Sequence, residues 1–125
     1  MPGGKIKITA SPVSMEAELN ETKIAQLIWN SLPINGKANT WGEEIFFGIA
    51  IKSEEENPQE VVQLGDLGYW VPGTAFCIFF GKTPSSRGDE IRPYSPVTII
   101  GKLLGDPKEF LKVKDGTRVI IEKAE

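Results

Sequence analysis

The opening stretch KIKITASPVSMEAELN, residues 5 to 20, alternates apolar and polar residues twice around a proline. Ile6 and Ile8 share one face of the first half, and the run from Val13 to Leu19 repeats the pattern in the second half. A period of two is typical of a strand with one buried face, and two such runs around Ser11-Pro12 predict an antiparallel hairpin. The pattern favours a sheet with one face turned to a core.

The rest of the chain adds short strands and two short helices. The segment NETKIAQLIWNSLP has apolar residues at helical spacing, with Asn20 or Thr22 as the N-cap and Pro33 as the end. GDPKEFLKV predicts a second short helix, with Asp106 as its N-cap and Pro107 at its first position. Strands are predicted in EEIFFGIAIK, LGYWV, FCIFF, VTIIGKLL and TRVIIEKA, and SEEENPQE is predicted to be a solvated loop. Without regular strand and helix alternation, this order predicts a mainly antiparallel barrel or sandwich.

Length and charge restrict the class of protein. The 125 residues predict a single domain, residues 1 to 125. The 14 basic and 17 acidic residues give a net charge of -3, so we expect no nucleic acid partner. The longest uncharged stretch, residues 67 to 81, is too short to cross a membrane, and nothing near Met1 reads as a signal peptide. We expect a cytoplasmic protein, and a single cysteine that cannot form an internal disulfide suits that compartment.

The chain contains no histidine. This removes the commonest general base and the commonest transition-metal ligand, and it excludes serine-type triads and most zinc sites. A phosphate-binding glycine loop, a Cys-x-x-Cys pair and a calcium loop are also missing from the sequence. We therefore assign no metal, no cofactor and no catalytic residue.

Cys77 lies within GTAFCIFFGK, an apolar run between two glycines. Apolar neighbours on a strand disfavour the thiolate that a nucleophile requires, and no histidine is present to activate it. The sequence predicts that Cys77 is a core residue.

The order of hairpin, helix, strands, short helix and final strand resembles the cyclophilin fold, a closed barrel with a helix over each open end. GTAFCIFFGKT is similar to a glycine-led apolar strand of the cyclophilins, and VTIIGKLL to their strand of the type V-x-F-G-x-V. Together with KANTWGEEIFF, GDLGYWVPG and DEIRPYSPV, these stretches look like the small single-domain prokaryotic cyclophilin-like family, whose members have no firmly assigned activity. The resemblance implies a mainly β fold, a closed antiparallel β-barrel of about eight strands with two capping helices.

The resemblance also bears on activity, because many cyclophilins are peptidyl-prolyl cis-trans isomerases that hold the prolyl bond with an arginine. The comparable segment here, residues 39 to 44, contains no arginine, and Cys77 stands where the relatives have a pocket phenylalanine. Isomerisation has a barrier of about 20 kcal/mol, and catalysis depends on a donor that favours the twisted amide. Arg87 or Arg92 would have to supply that donor.

Three functions remain open on this basis. The sequence favours a binding protein without the usual catalytic arginine, which recognises a peptide segment or a small molecule in an aromatic-lined groove. One alternative is a weak or divergent peptidyl-prolyl isomerase. Another is a partner subunit of an amide-hydrolysing enzyme, which rests on analogy of fold alone. The oligomeric state is left open by the sequence.

The residues predicted to line the groove are aromatic or charged and lie near predicted turns. Trp41 and Glu43 either line the groove or form a lid and a solvated turn, and Trp70 either packs under a loop or faces a ligand. Arg92 either contacts an anionic ligand or pairs with Asp89 or Glu90. Glu43 and Glu44 are adjacent on a predicted strand, so they face opposite sides and do not form an acid/base pair. The predicted binding residues are Trp41, Glu43, Phe46, Trp70, Phe76 and Arg92.

Overall fold

Antiparallel strands form one sheet that curls into a nearly closed barrel in the computed structural model, which describes residues 4 to 124. In chain order the strands are β1 (Gly4–Ala10), β2 (Val13–Leu19), β3 (Ile34–Lys37), β4 (Asn39–Thr40), β5 (Glu44–Gly48), β6 (Asp66–Trp70), β7 (Ala75–Phe79), β8 (Thr98–Leu103) and β9 (Arg118–Lys123). The helix α1 (Lys23–Ser31) follows β2, and a 3-10 helix (Pro107–Lys112) precedes β9. Among the residues described, none of the helices is long and apolar enough to cross a bilayer.

The order of strands in the sheet explains how the barrel closes. The order is β3-β9-β1-β2-β8-β6-β7-β5-β4, so the two end strands are consecutive in the chain and only Ala38 separates them. The amide of Ala38 donates to the carbonyl of Thr117 at 2.7 Å, which ties this segment to the approach to β9. On the other side of Ala38, Thr40 pairs with Ile45 of β5. The segment from β3 to β4 therefore connects both ends of the sheet.

The predicted fold class is confirmed. The hairpin around Ser11-Pro12 is present, with Ile6 opposite Ala17 and Ile8 opposite Met15. The two predicted helices also form, the second as a 3-10 helix in which the Asp106 carboxylate accepts a hydrogen bond from the amide of Lys108 at 3.0 Å. The strands exceed the predicted number because residues 34 to 40 form β3 and β4, which are too short and too polar to show a clear alternation.

Two side chains accept hydrogen bonds from backbone amides in the first turn of α1. Thr22, one of the two predicted caps, accepts a hydrogen bond from the amide of Ala25 at 3.1 Å. The carboxylate of Glu56 accepts hydrogen bonds from the amides of Lys23 and Ile24 at 3.0 and 2.9 Å. These contacts satisfy amides that an isolated helix leaves without partners, so the mostly exposed acidic loop is fastened to the barrel at Glu56.

Strands β5, β7 and β6 are adjacent in the sheet and carry buried residues on both faces. Phe47, Tyr69 and Phe76 point into the barrel interior and belong to the main core. The opposite face carries a second, smaller core, which we call the outer layer. The outer layer consists of Val62, Ala75, Cys77, Phe79, Ile91 and Val97.

Candidate functional site

The outer layer is covered by residues 81 to 97, which we call the covering loop. Two isolated bridges hold it against the preceding segment, one between Val62 and Ile91 and one between Gln59 and Val97. Ile91 and Val97 bury their side chains in the outer layer. The loop covers the sheet only in part, and the uncovered part forms a pocket.

The pocket has a volume of about 170 Å³ and is mainly apolar. Strand β5, the turn before it, strand β6 and the covering loop each contribute to its walls. The lining residues are Trp41, Glu44, Phe46, Trp70, Pro93, Tyr94 and Val97.

Three aromatic rings stand at steep angles around this pocket. Tyr94 lies between the two tryptophans, with its ring centroid 5.9 Å from that of Trp41 and 5.9 Å from that of Trp70. The ring planes meet at 73° and 85°, which is the edge-to-face arrangement that aromatic pairs favour. The indole nitrogen of Trp70 donates a hydrogen bond to the hydroxyl of Ser95 at 2.6 Å, so the covering loop fixes this ring. Tyr94 is 72% exposed and forms the outermost wall.

Glu44 is the one acidic side chain among the lining residues, and it is only 5% exposed. The turn that precedes it is tight, because the backbones of Trp41 and Glu44 exchange hydrogen bonds at 2.9 and 3.2 Å. Gly42 adopts a φ of 60° in this turn, and a Cβ there would lie 2.8 Å from Pro84 and 2.9 Å from the carbonyl of Lys82. The turn therefore fits under the covering loop only with glycine at this position.

Burial changes the acid-base properties of this carboxyl group. Desolvation raises the pKa of Glu44 to about 7, and the neighbouring Cys77 side chain opposes that rise in part. Glu44 is therefore present in both protonation states near neutral pH.

Cys77 lies beneath the pocket and is 1% exposed. Burial raises the pKa of its thiol well above the usual value, and the neighbouring Glu44 raises it further. The thiol remains protonated, which agrees with the predicted core role, although Cys77 packs in the outer layer and not in the barrel interior.

Three of the six predicted binding residues line the pocket: Trp41, Phe46 and Trp70. Phe76 does not, because it is completely buried in the barrel interior, where its ring stacks on Phe47 at a centroid distance of 5.3 Å. Side chains alternate along β7, so Phe76 points inward while its neighbour Cys77 points outward.

The two predicted charged residues also lie outside the pocket. The Glu43 carboxylate, in the turn just before β5, accepts a hydrogen bond from the Lys108 ammonium at 2.8 Å. The Arg92 guanidinium pairs with Glu90 at 2.6 Å and with Glu60 at 3.5 Å. Arg87 and Arg92 both border a neighbouring depression behind Tyr94, so the described part of the chain places no basic side chain in the pocket itself.

Four lining residues were missed by the sequence prediction: Glu44, Pro93, Tyr94 and Val97. The signal for Glu44 was present in the predicted strand EEIFFGIAIK, because Glu44 precedes Phe46 by two positions and therefore shares its face. Tyr94 and Pro93 lie in an irregular loop, where no periodic pattern indicates which side chains point inward.

The comparisons with known proteins agree with this architecture. The Cyclophilin-like family model matches residues 4–122, and the chain belongs to this family. The solution structure of the hypothetical protein AF2241 from Archaeoglobus fulgidus is similar, with a TM-score of 0.80 and 40% sequence identity over 97% of this chain and 95% of that chain. No curated protein matches the chain. The predicted membership of a small cyclophilin-like family is confirmed.

Proposed function

We propose that this protein is a binding protein whose aromatic pocket takes one side chain of a peptide or one group of a small molecule. The observation that carries this proposal is the pocket itself, in which aromatic side chains surround one buried polar group. Pockets of this composition, mainly apolar with few polar groups, are the usual ligand sites of proteins.

The volume of the pocket limits what it holds. Sites for complete drug-sized ligands measure about 300 to 1,000 Å³, whereas a cavity of about 150 Å³ is sufficient for benzene. At about 170 Å³, this pocket has room for a single ring or a branched head group. The remainder of a ligand would lie on the surface of the covering loop.

The electrostatics of the site argue against efficient prolyl isomerisation. A donor that stabilises the twisted amide must lie within about 3 Å of the reacting group. Arg92, the arginine nearest in sequence to the lining residues, is held by Glu90 and Glu60 outside the pocket. The protein would therefore bind prolyl peptides without accelerating their isomerisation to the extent that an arginine-bearing relative would.

The binding proposal can be tested with the three tryptophans as reporters. Trp41 and Trp70 line the pocket, whereas Trp29 packs elsewhere, with the Lys123 ammonium 4.7 Å from the centroid of its ring. In a nitrogen-15 NMR titration with Xaa-Pro peptides and small aromatic or branched compounds, a ligand of the pocket should shift the indole signals of Trp41 and Trp70 and leave that of Trp29 unchanged.

Variants make the assignment specific. Trp41→Ala and Tyr94→Ala should each weaken binding about tenfold or more, as expected for aromatic anchors. Leu111→Ala, which changes an exposed side chain on the 3-10 helix, is the control and should leave binding unchanged. Ligands that bind equally well to Trp41→Ala and Tyr94→Ala would contradict the proposal.

A second candidate, a slow isomerase, is supported by one observation. When protonated, the Glu44 carboxyl is a hydrogen-bond donor inside an apolar pocket, and its pKa of about 7 keeps part of it protonated at neutral pH. A protease-coupled assay on Xaa-Pro peptides should then show acceleration at about pH 6 that decreases by about pH 8. A rate equal to the uncatalysed rate at both pH values would remove this candidate.

A further inference from the structure

We propose that the group bound in this pocket is an alkylated ammonium cation of a small molecule, held among Trp41, Trp70 and Tyr94 with Glu44 as its counter-ion. This inference rests on the proposed binding function and names the chemical class of the ligand. It follows from the shape of the aromatic walls and from the charge of the site.

The aromatic walls suit a rounded guest. The planes of Trp41 and Trp70 each meet that of Tyr94 at 73° or more, so the walls of the pocket are inclined to one another. A tetrahedral group such as trimethylammonium contacts steeply inclined walls on several sides at once. Aromatic faces attract such cations when the charge lies within about 6 Å of the ring centroid, and tryptophan is the strongest partner.

The charge of the site favours the same guest. Glu44 is 5% exposed, and a carboxylate in such surroundings is costly without a counter-charge. The neighbouring Cys77 thiol is neutral and donates to the carbonyl of Ala75 at 3.9 Å, and the described lining residues include no lysine or arginine. The pocket therefore presents one unpaired acidic group and no basic group, and a cationic ligand would complete the pair.

The other ionisable groups around Glu44 do not neutralise it. Cys77 approaches from β7 and Tyr94 from the covering loop, and neither is a cation. The adjacent Glu43 is paired with Lys108, and Arg92 is paired with Glu90 and Glu60. Burial raises the pKa of Glu44 to about 7, and a bound cation would hold the carboxyl ionised.

The test compares choline with 3,3-dimethylbutan-1-ol, which has the same shape but a carbon in place of the charged nitrogen. Binding is followed by the indole NMR signals of Trp41 and Trp70 at about pH 8, where Glu44 is mainly ionised. If apolar contact alone determined affinity, the neutral alcohol would bind at least as tightly, because it loses less hydration. We expect choline to bind about tenfold more tightly, in line with cation–π attraction and a desolvated counter-ion.

The dependence on pH gives a second measurement on the unmodified protein. Because the cation binds the ionised carboxyl, the affinity for choline should fall about tenfold between about pH 8 and about pH 6, across the Glu44 pKa of about 7. The affinity for the neutral alcohol should stay the same over this range. A choline affinity that does not change with pH would overturn Glu44 as the counter-ion.

Two matched variants separate the charge from the fold. Glu44→Gln keeps the shape of the side chain and should remove the preference for choline, whereas Glu43→Gln, at a residue that pairs with Lys108 outside the pocket, should retain it. If Glu44→Gln does not fold, the pH series on the unmodified protein decides the question. A preference for choline that survives in Glu44→Gln would overturn the inference.

The outcomes also separate this inference from the proposed function. If the alcohol binds as tightly as choline, or if Xaa-Pro peptides bind and choline does not, the cation assignment is wrong and the binding function stands. If choline, the alcohol and the peptides all leave the indole signals of Trp41 and Trp70 unchanged, both proposals are wrong.

Discussion

The barrel interior and the outer layer lie on the two faces of the same strands, β5, β7 and β6, but they are enclosed in different ways. The interior is enclosed by the curvature of the sheet, and Phe47 and Phe76 stack there without exposure to solvent. The outer layer is enclosed by an irregular loop, which leaves a pocket with a carboxyl group at its wall. Closure by regular structure leaves only packed side chains, whereas closure by a loop leaves a pocket.

The largest expected effect is a loss of stability when a side chain of the barrel interior is truncated. Phe76→Ala removes a fully buried ring and leaves a cavity beside Phe47, so we expect it to lower the free energy of unfolding by about 3 to 5 kcal/mol. Urea denaturation measures this loss, and Phe46→Ala, in which the ring removed is only partly buried, is the control with a smaller loss. A similar loss for both variants would show that the two faces are packed alike and would break the comparison.

The second prediction concerns the pH dependence of stability that the buried carboxyl group of Glu44 causes. The pKa of Glu44 is raised from 4.5 to about 7 in the folded protein, so between these values the folded state binds more protons than the unfolded state. Its contribution to stability is therefore complete below about pH 4.5 and is lost as the pH rises to about 7, with a total on the order of 3 kcal/mol.

Glu44→Gln imitates the protonated acid at every pH. Relative to the unmodified protein it should have similar stability at about pH 4 and greater stability, by up to about 3 kcal/mol, at about pH 8. Urea denaturation at both pH values gives this difference, and Glu43→Gln should show no such pH-dependent gain. Equal pH profiles for Glu44→Gln and the unmodified protein would mean that Glu44 is not desolvated.

The smallest effect concerns the thiol under the pocket. Cys77→Ala removes one buried atom, and we expect a loss of about 1 kcal/mol in the free energy of unfolding. It also removes the polar side chain that lowers the pKa of Glu44, so the titration midpoint of that carboxyl should move upward. Carbon-13 NMR of the glutamate carboxyl groups measures the midpoint. Cys77→Ser keeps a polar donor at this position, and an upward shift of equal size in Cys77→Ser and Cys77→Ala would contradict a role for a donor at residue 77.

Much of the barrel could be predicted because its strands alternate clearly. The hairpin from Lys5 to Asn20 has polar residues that mark its outer face, and Thr22 is a recognisable cap for α1. The run FCIFF has no polar residue, so its pattern does not show which side chains face inward. For this reason Phe76 was predicted in the groove, although the structure places it in the interior.

The pocket was harder to predict than the barrel because three of its seven lining residues come from the covering loop. Trp41, Phe46 and Trp70, which the sequence predicted in the groove, lie on or beside strands and line the pocket. The position of Tyr94 depends on how residues 81 to 97 fold back over the outer layer, which is decided by long-range contacts such as the bridge between Val62 and Ile91. Arg92 had candidate partners on both sides, and only the folded loop selects Glu90 and Glu60.

The junction of β3 and β4 at Ala38 also limits how the sheet could bind a peptide. Many sheet proteins bind an extended peptide as an additional strand along an open edge. The end strands here, β3 and β4, have four and two residues, and only Ala38 separates them. Such short edges offer few backbone groups to a partner strand. Under the proposed binding function, a peptide would therefore be recognised by its side chains and not by its backbone.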